Sequence, residues 1–168
     1  MSFQPVSYDS SLEKSYHTLC QQAKALFSDE NNRTANLANA SALLNQFLSN
    51  VNWVGFYIWS EAENELVLGP FQGLPACNRI TPGKGVCGTA YQKKQTVRVE
   101  DVHAFPGHIA CDAASQSEIV VPLFTPEGEV YGVLDIDSPV LNRFSEQEES
   151  FLRQFADEIE QGLFSTEN

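Results

Sequence analysis

Apolar residues recur along the first part of the chain at three- and four-residue steps. From about Ser10 to Phe27, Leu12, Tyr16, Leu19, Ala23 and Leu26 fall on one stripe, the spacing of an amphipathic helix with its apolar face turned to a core. Cys20 lies inside that run and reads as a small core hydrophobe. A second helix is predicted after Asn32, with Leu37, Ala40, Leu44 and Leu48 on one stripe and polar Ser49 and Asn50 ending it. The period changes at Asn52. Residues 53–59 are aromatic and β-branched, and Glu61 to Asn64 separate them from a second strand at 65–68, a hairpin pattern. Residues 69–87 hold several glycines and prolines and read as mostly loop. A short helix over Gly88 to Lys94 and a strand over Thr96 to Val99 follow. Strands over 118–124 and 129–137 form another hairpin around Thr125-Pro126-Glu127-Gly128. Ser145, with Glu148 three residues on, is a capping box opening a last helix with Phe151, Phe155 and Ile159 inward. Helices at both ends of an antiparallel sheet predict an α+β domain in which they pack on the sheet and the loops between strands form a pocket.

Composition narrows the setting. The 168 residues are 42% hydrophobic, enough for one domain with its own core. The start, MSFQPVSYDS, has neither a basic nor an apolar region of a secretory signal, and no run approaches a membrane span. A cytoplasmic protein is expected, and in a reducing compartment four cysteines favour catalytic, redox or metal roles over structural bridges. The net charge of −12 is spread along the chain, with a mild acidic concentration from Glu146 to Glu160, the pattern of a solvated helix face. Without a basic patch, nucleic acid is not an expected partner.

Cys77, Cys87 and Cys111 stand in glycine-rich or polar stretches rather than apolar runs, where a thiol that must meet a substrate and another thiol is expected. Cys87, beside a predicted helix start, would have its thiolate favoured by the N–H groups there. Two thiols able to meet can run a redox cycle: one attacks an oxidised substrate and becomes a sulfenic acid, and the other condenses with it to a disulfide. Three incidental cysteines are the competing reading. Glu118 opens one strand of the late hairpin, while Asp135 and Asp137 end the other on one face. Converging, they would hold a proton near neutral pH for an oxygen being expelled, or anchor an ammonium group; apart, they are ordinary strand-end charges. Trp53 and Tyr57 share a strand face and either wall a pocket or pack between sheet and helix. His103, His108 and Cys111 offer metal-ligand types without a reinforcing pair, so no metal is expected. Residues 83–88 lack the Gly-Lys-Ser/Thr ending of a phosphate loop, and there is no Gly-x-Ser-x-Gly elbow.

Taken together, Asn52-Trp53-Val54-Gly55-Phe56-Tyr57, Gly69-Pro70-Phe71-Gln72-Gly73, Gly85-Val86-Cys87-Gly88, Ala110-Cys111-Asp112, Glu118-Ile119-Val120-Val121-Pro122 and Gly132-Val133-Leu134-Asp135-Ile136-Asp137-Ser138 closely resemble the free methionine-(R)-sulfoxide reductases, single-domain GAF-fold enzymes, over nearly the whole chain. The resemblance implies one GAF domain over 1–168, with a central antiparallel β-sheet and helices packed on it. It implies thioredoxin-dependent reduction of free L-methionine-(R)-S-oxide through a cysteine sulfenic acid and an intramolecular disulfide. Cys111 matches the family's nucleophile, Cys77 the main resolving thiol, and Cys87 a third cysteine of variable part in recycling. Glu118, Asp135 and Asp137 match the acids that hold the amino group and the sulfoxide oxygen, and Trp53 and Tyr57 match the aromatic wall at the S-methyl end. No bound cofactor is implied; thioredoxin is the external reductant, and a homodimer is left open. Carboxylates that take a free α-ammonium group would reject methionine inside a polypeptide, where that nitrogen is an uncharged amide. A non-catalytic GAF sensor of a small ligand and a thiol redox sensor are the alternatives.

Overall fold

A computed structural model describes residues 3, 8, 11–108 and 111–165. Ser10, where the first helix is predicted to start, and Ile109 and Ala110 beside Cys111 lie outside them. The elements run α1 (Leu12–Phe27), α2 (Arg33–Phe47), β1 (Trp53–Ser60), β2 (Glu65–Gln72), β3 (Arg79–Ile80), α3 (Gly85–Lys93), β4 (Val97–Val99), a 3-10 turn (Val102–Ala104), β5 (Ser117–Phe124), β6 (Val130–Ser138) and α4 (Glu146–Phe164). The strands form one six-stranded antiparallel sheet in the order β3-β2-β1-β6-β5-β4.

Alternation along the strands divides the interior in two. Val54 and Phe56 of β1, Ile119, Val121 and Leu123 of β5, and Leu134 and Ile136 of β6 face one way and bury against α1, α2 and α4. Trp53, Tyr57, Val120 and Val133 face the other way, toward α3 and the loops around it, with Val86, Cys87 and Ala90. A one-residue slip would exchange these two sets, so the helices fix the register that points Asp135 and Asp137 away from them.

Local chemistry sets the helix ends. Ser11 and Asn32 accept from Lys14 N and Ala35 N to cap α1 and α2. Ser145 Oγ accepts from Glu148 N at 3.0 Å, half of the predicted capping box. The reciprocal half is diverted. Buried Glu148 instead accepts from Tyr16 Oη at 2.8 Å and Arg143 Nη1 at 2.7 Å, tying α4 to α1.

Residues 69–87 are more ordered than their glycines and prolines predict. β2 continues to Gln72, because β3 pairs only with Leu66 and Val67 and leaves Pro70 on a free edge where no amide is needed. α3 starts at Gly85 rather than Gly88, after a turn in which Gly83 and Gly85 take φ of +81° and +64°, a region open to glycine. Cys20 sits half-buried at the rim of the helical core. No helix among the described residues is long and apolar enough to cross a membrane.

Candidate active site

The face of the sheet turned from the three long helices holds the acids. In the β5–β6 register Glu118 stands directly opposite Asp137, and Val120 opposite Asp135. On the other flank of β6, Trp53 stands opposite Asp137 and Gly55 opposite Asp135. Gly55 is required there: a Cβ would lie 2.2 Å from Phe71 Cβ and 2.8 Å from Trp53 Cη2. In its place the Trp53 and Phe71 rings stack at 5.1 Å, and Tyr57 continues the wall at 5.9 Å from Trp53. The carboxylates converge, and Trp53 and Tyr57 do both things weighed for them: they line the cleft and pack between the sheet and α3.

Glu118 and Asp135 are each 6% exposed, and Asp137 is partly exposed. Burial and the negative charges of its neighbours Asp135 and Asp137 push the Glu118 carboxyl well above the usual range. Burial and Asp135 do the same to Asp137. Burial also raises Asp135, but hydrogen bonds from Glu118, Asp137 and Cys87 oppose the rise. All three carboxyls are thus raised, Glu118 and Asp137 further than Asp135. The Asp135 Oδ1 is buried without a hydrogen-bond partner from the protein, so it can accept from a donor that enters the cleft.

Cys77 and Cys111 are joined as a disulfide with their Cα atoms 5.6 Å apart. Cys111 lines one cleft with Trp53, Tyr57, Cys87 and the three acids, as do Pro75 and Ala76 just before Cys77. The loop bearing Cys77 is tied to the aromatic wall: Trp53 Nε1 donates to Leu74 O at 3.1 Å, and Tyr57 Oη to Cys77 O at 3.0 Å. Beyond Cys111, Asp112 Oδ2 accepts from Asn52 Nδ2 at 2.9 Å, and the same amide donates to Ser115 Oγ at 3.2 Å. The space open to water in the cleft is about 50 Å³, room for a few waters.

The expectation for Cys87 is corrected. It is not on an exposed loop but in the first turn of α3, 4% exposed, facing the acids. Burial, then Asp135 and Glu118, push its thiol well above the ordinary value, so the thiolate is disfavoured. The helix start adds little against three nearby carboxyls. The metal candidates do not assemble either. His103 is exposed and pairs with Asp101 at 3.2 Å, and Cys111 is in the disulfide. Cys87 Sγ and one oxygen each of Glu118 and Asp135 lie within 4.8 Å of one another, the only grouping among the described residues with donors that close. Lys84 and His108 also line the cleft, and burial lowers the His108 pKa. Sequence reading passed over Lys84, Asn52, Asp112 and Ser115 as site residues. The signal for the last three was a polar residue opening an apolar strand and two more just after a loop cysteine.

A curled antiparallel sheet with helices on one face and a loop-covered cleft on the other is the frame of a small-ligand domain. The GAF-domain family matches residues 32–163, and the chain belongs to it. Within that family it belongs with the free methionine-R-sulfoxide reductases. The Escherichia coli (strain K12) protein of that name is 51% identical over 90% of this chain and 90% of its own length. Protein YtsP of Bacillus subtilis (strain 168) is 60% identical over 90% of this chain and 92% of its own. Among solved structures, the free methionine-R-sulfoxide reductase of Neisseria meningitidis in complex with its substrate is 42% identical, covers 96% of each chain and superposes with a TM-score of 0.89.

Proposed function

We propose that this chain, acting as one GAF domain over residues 1–168 in the cytosol, reduces free L-methionine-(R)-S-oxide to methionine. The observation that carries the reading is the unpartnered Asp135 Oδ1, buried beside two carboxyls of raised pKa in the cleft lined by Cys111, which is bonded to Cys77. In this reading a free α-ammonium group supplies the donor to Asp135, and Lys84, which also lines the cleft, takes the α-carboxylate. A peptide-bound residue offers neither charge. Trp53 and Tyr57 receive the S-methyl end.

In the reduced enzyme the Cys111 sulfur attacks the sulfoxide sulfur. The transient S–S bond and the S–O bond then break as the oxygen passes to Cys111 as a sulfenic acid; the Glu118–Asp137 pair gives that oxygen a proton and takes up the one the Cys111 thiol releases, and methionine leaves with the electron pair. The Cys77 thiol then displaces that oxygen as water and forms the disulfide. A dithiol reductant, thioredoxin, reopens it by exchange, so no bound cofactor is needed. The free methionine-R-sulfoxide reductases among its relatives and the substrate complex of the Neisseria protein support the substrate assignment.

The test is NADPH consumption with thioredoxin and its reductase, comparing the free R and S epimers and a peptide-bound sulfoxide. Turnover of the free R epimer alone is expected. A protein that turns over none of the three would be a sensor rather than an enzyme.

A further inference from the structure

The Cys77–Cys111 bond closes without Cys87, although Cys87 lines the same cleft as Cys111. Cys87 is held by α3, whose first turn, Gly85 to Gly88, is buried throughout. Gly88 packs so closely that a Cβ there would lie 2.5 Å from Thr81 O. A thiol on that backbone is fixed, whereas recycling requires one that can travel. Its sulfur instead faces the carboxyls, within 4.8 Å of an oxygen of Glu118 and of Asp135, and shares a hydrogen bond with Asp135.

We propose that Cys87 is a positioning residue for the substrate's ammonium group and not a recycling thiol: its S–H donates to Asp135 and holds that carboxylate with Oδ1 unpaired toward the cleft. The inference rests on the functional reading above. An S–H donor suits the task. Its high pKa keeps the proton on sulfur, and it adds no charge to a site that must attract a cation. A lysine there would repel the ammonium, and a further carboxyl would raise the burden of buried charge.

The experiment compares Cys87→Ala and Cys87→Ser with the wild type. Loss of the donor in Cys87→Ala is expected to raise KM for the free R epimer about tenfold, the effect of one hydrogen bond to a charged group, with kcat within about twofold. Cys87→Ser, whose hydroxyl still donates, should return KM to within about threefold. Both variants should release one methionine per enzyme without reductant and form the Cys77–Cys111 bond, read by alkylation mapping. A second readout does not depend on Cys87→Ala folding. In the oxidised wild type, the S–H infrared band that disappears in Cys87→Ser should lie at lower frequency than that of Cys20. Unchanged KM in Cys87→Ala, failure of serine to rescue, an undisplaced band, or a Cys87 disulfide appearing in turnover would each overturn the proposal. Wild-type protein inactive on the free R epimer would sink the functional reading first, before any variant is made.

Discussion

Tyr57→Phe separates the two halves of the catalytic cycle. The substitution keeps the ring that stacks 5.9 Å from Trp53 and removes only the hydroxyl that donates to Cys77 O at 3.0 Å. Tyr57 is 2% exposed, so water cannot readily replace the lost donor. A neutral hydrogen bond contributes about 0.5–1.5 kcal/mol, and 1.4 kcal/mol is tenfold in an equilibrium. The loop should then hold Cys77 near Cys111 about two- to tenfold less often. Trp53 still holds Leu74 O, so the loop is loosened rather than released. Rapid-quench measurement of methionine release against disulfide formation, the latter trapped by alkylation, is the assay. Methionine should appear at the wild-type rate, disulfide formation should slow about two- to tenfold, and KM should barely move. Slowed methionine release with unchanged disulfide formation would mean that the hydroxyl serves the substrate instead. No change in either would mean that the bond holds nothing.

Other substitutions probe the remaining parts. Cys111→Ser should abolish even a single turnover, while Cys77→Ser should release one methionine per enzyme and lose thioredoxin-supported cycling; a fully active Cys111→Ser would remove it as the nucleophile. Glu118→Gln should lower kcat about a hundredfold or more, whereas Glu146→Gln, on the exposed start of α4, should leave it unchanged. The same glutamine should alter stability in a pH-dependent way. Because the folded-state pKa of Glu118 is raised, the folded protein binds more protons than the unfolded chain above the ordinary carboxylate range of about 4, and stability falls as pH rises through that window. Glu118→Gln should therefore melt above the wild type at pH 8, with the gap narrowing at pH 5; a variant less stable at both would contradict the raised pKa. Finally, with only about 50 Å³ free in the disulfide form, oxidised enzyme should bind methionine at least tenfold more weakly than reduced Cys111→Ser, by calorimetry on both. Equal affinities would show that the disulfide does not occlude the cleft.

The acids were legible before the fold because they depend on local rules. Asp135 and Asp137 share a face by the period of two, and the turn at 125–128 returns β6 so that Asp137 meets Glu118. The cysteines were not equally legible. Cys87 was misplaced because the start of α3 depends on Gly83 and Gly85 adopting positive φ, which glycine permits but does not announce. Three residues of error at that boundary turned a buried side chain into an exposed one. The Cys77–Cys111 pairing spans 34 residues, and what holds those loops in place is the polar ends of Trp53, Tyr57 and Asn52 reaching off β1. A reading that counts Trp and Tyr as apolar in a strand cannot see those bonds.

The two requirements of the site pull against each other, and the fold answers them in different places. Holding carboxyls in a desolvated cleft calls for a rigid frame, since each buried charge without a partner is unfavourable and any slack lets water in. Those groups sit on β5 and β6, with β1 beside β6 and β4 beside β5. A thiol that must attack a substrate, meet a second thiol and then meet another protein calls for backbone that moves, and Cys77 and Cys111 stand between elements. Strand β1 joins the two regimes. Asn52, Trp53 and Tyr57 present bodies to the cleft or its edge and donor atoms to the loops. Substrate seated as proposed, against the aromatic wall, would touch the same side chains that position the Cys77 loop. By this geometry, filling the cleft should register at the Cys77 loop, whereas loss of the Tyr57 hydroxyl alone loosens the loop and leaves the ring that walls the cleft in place.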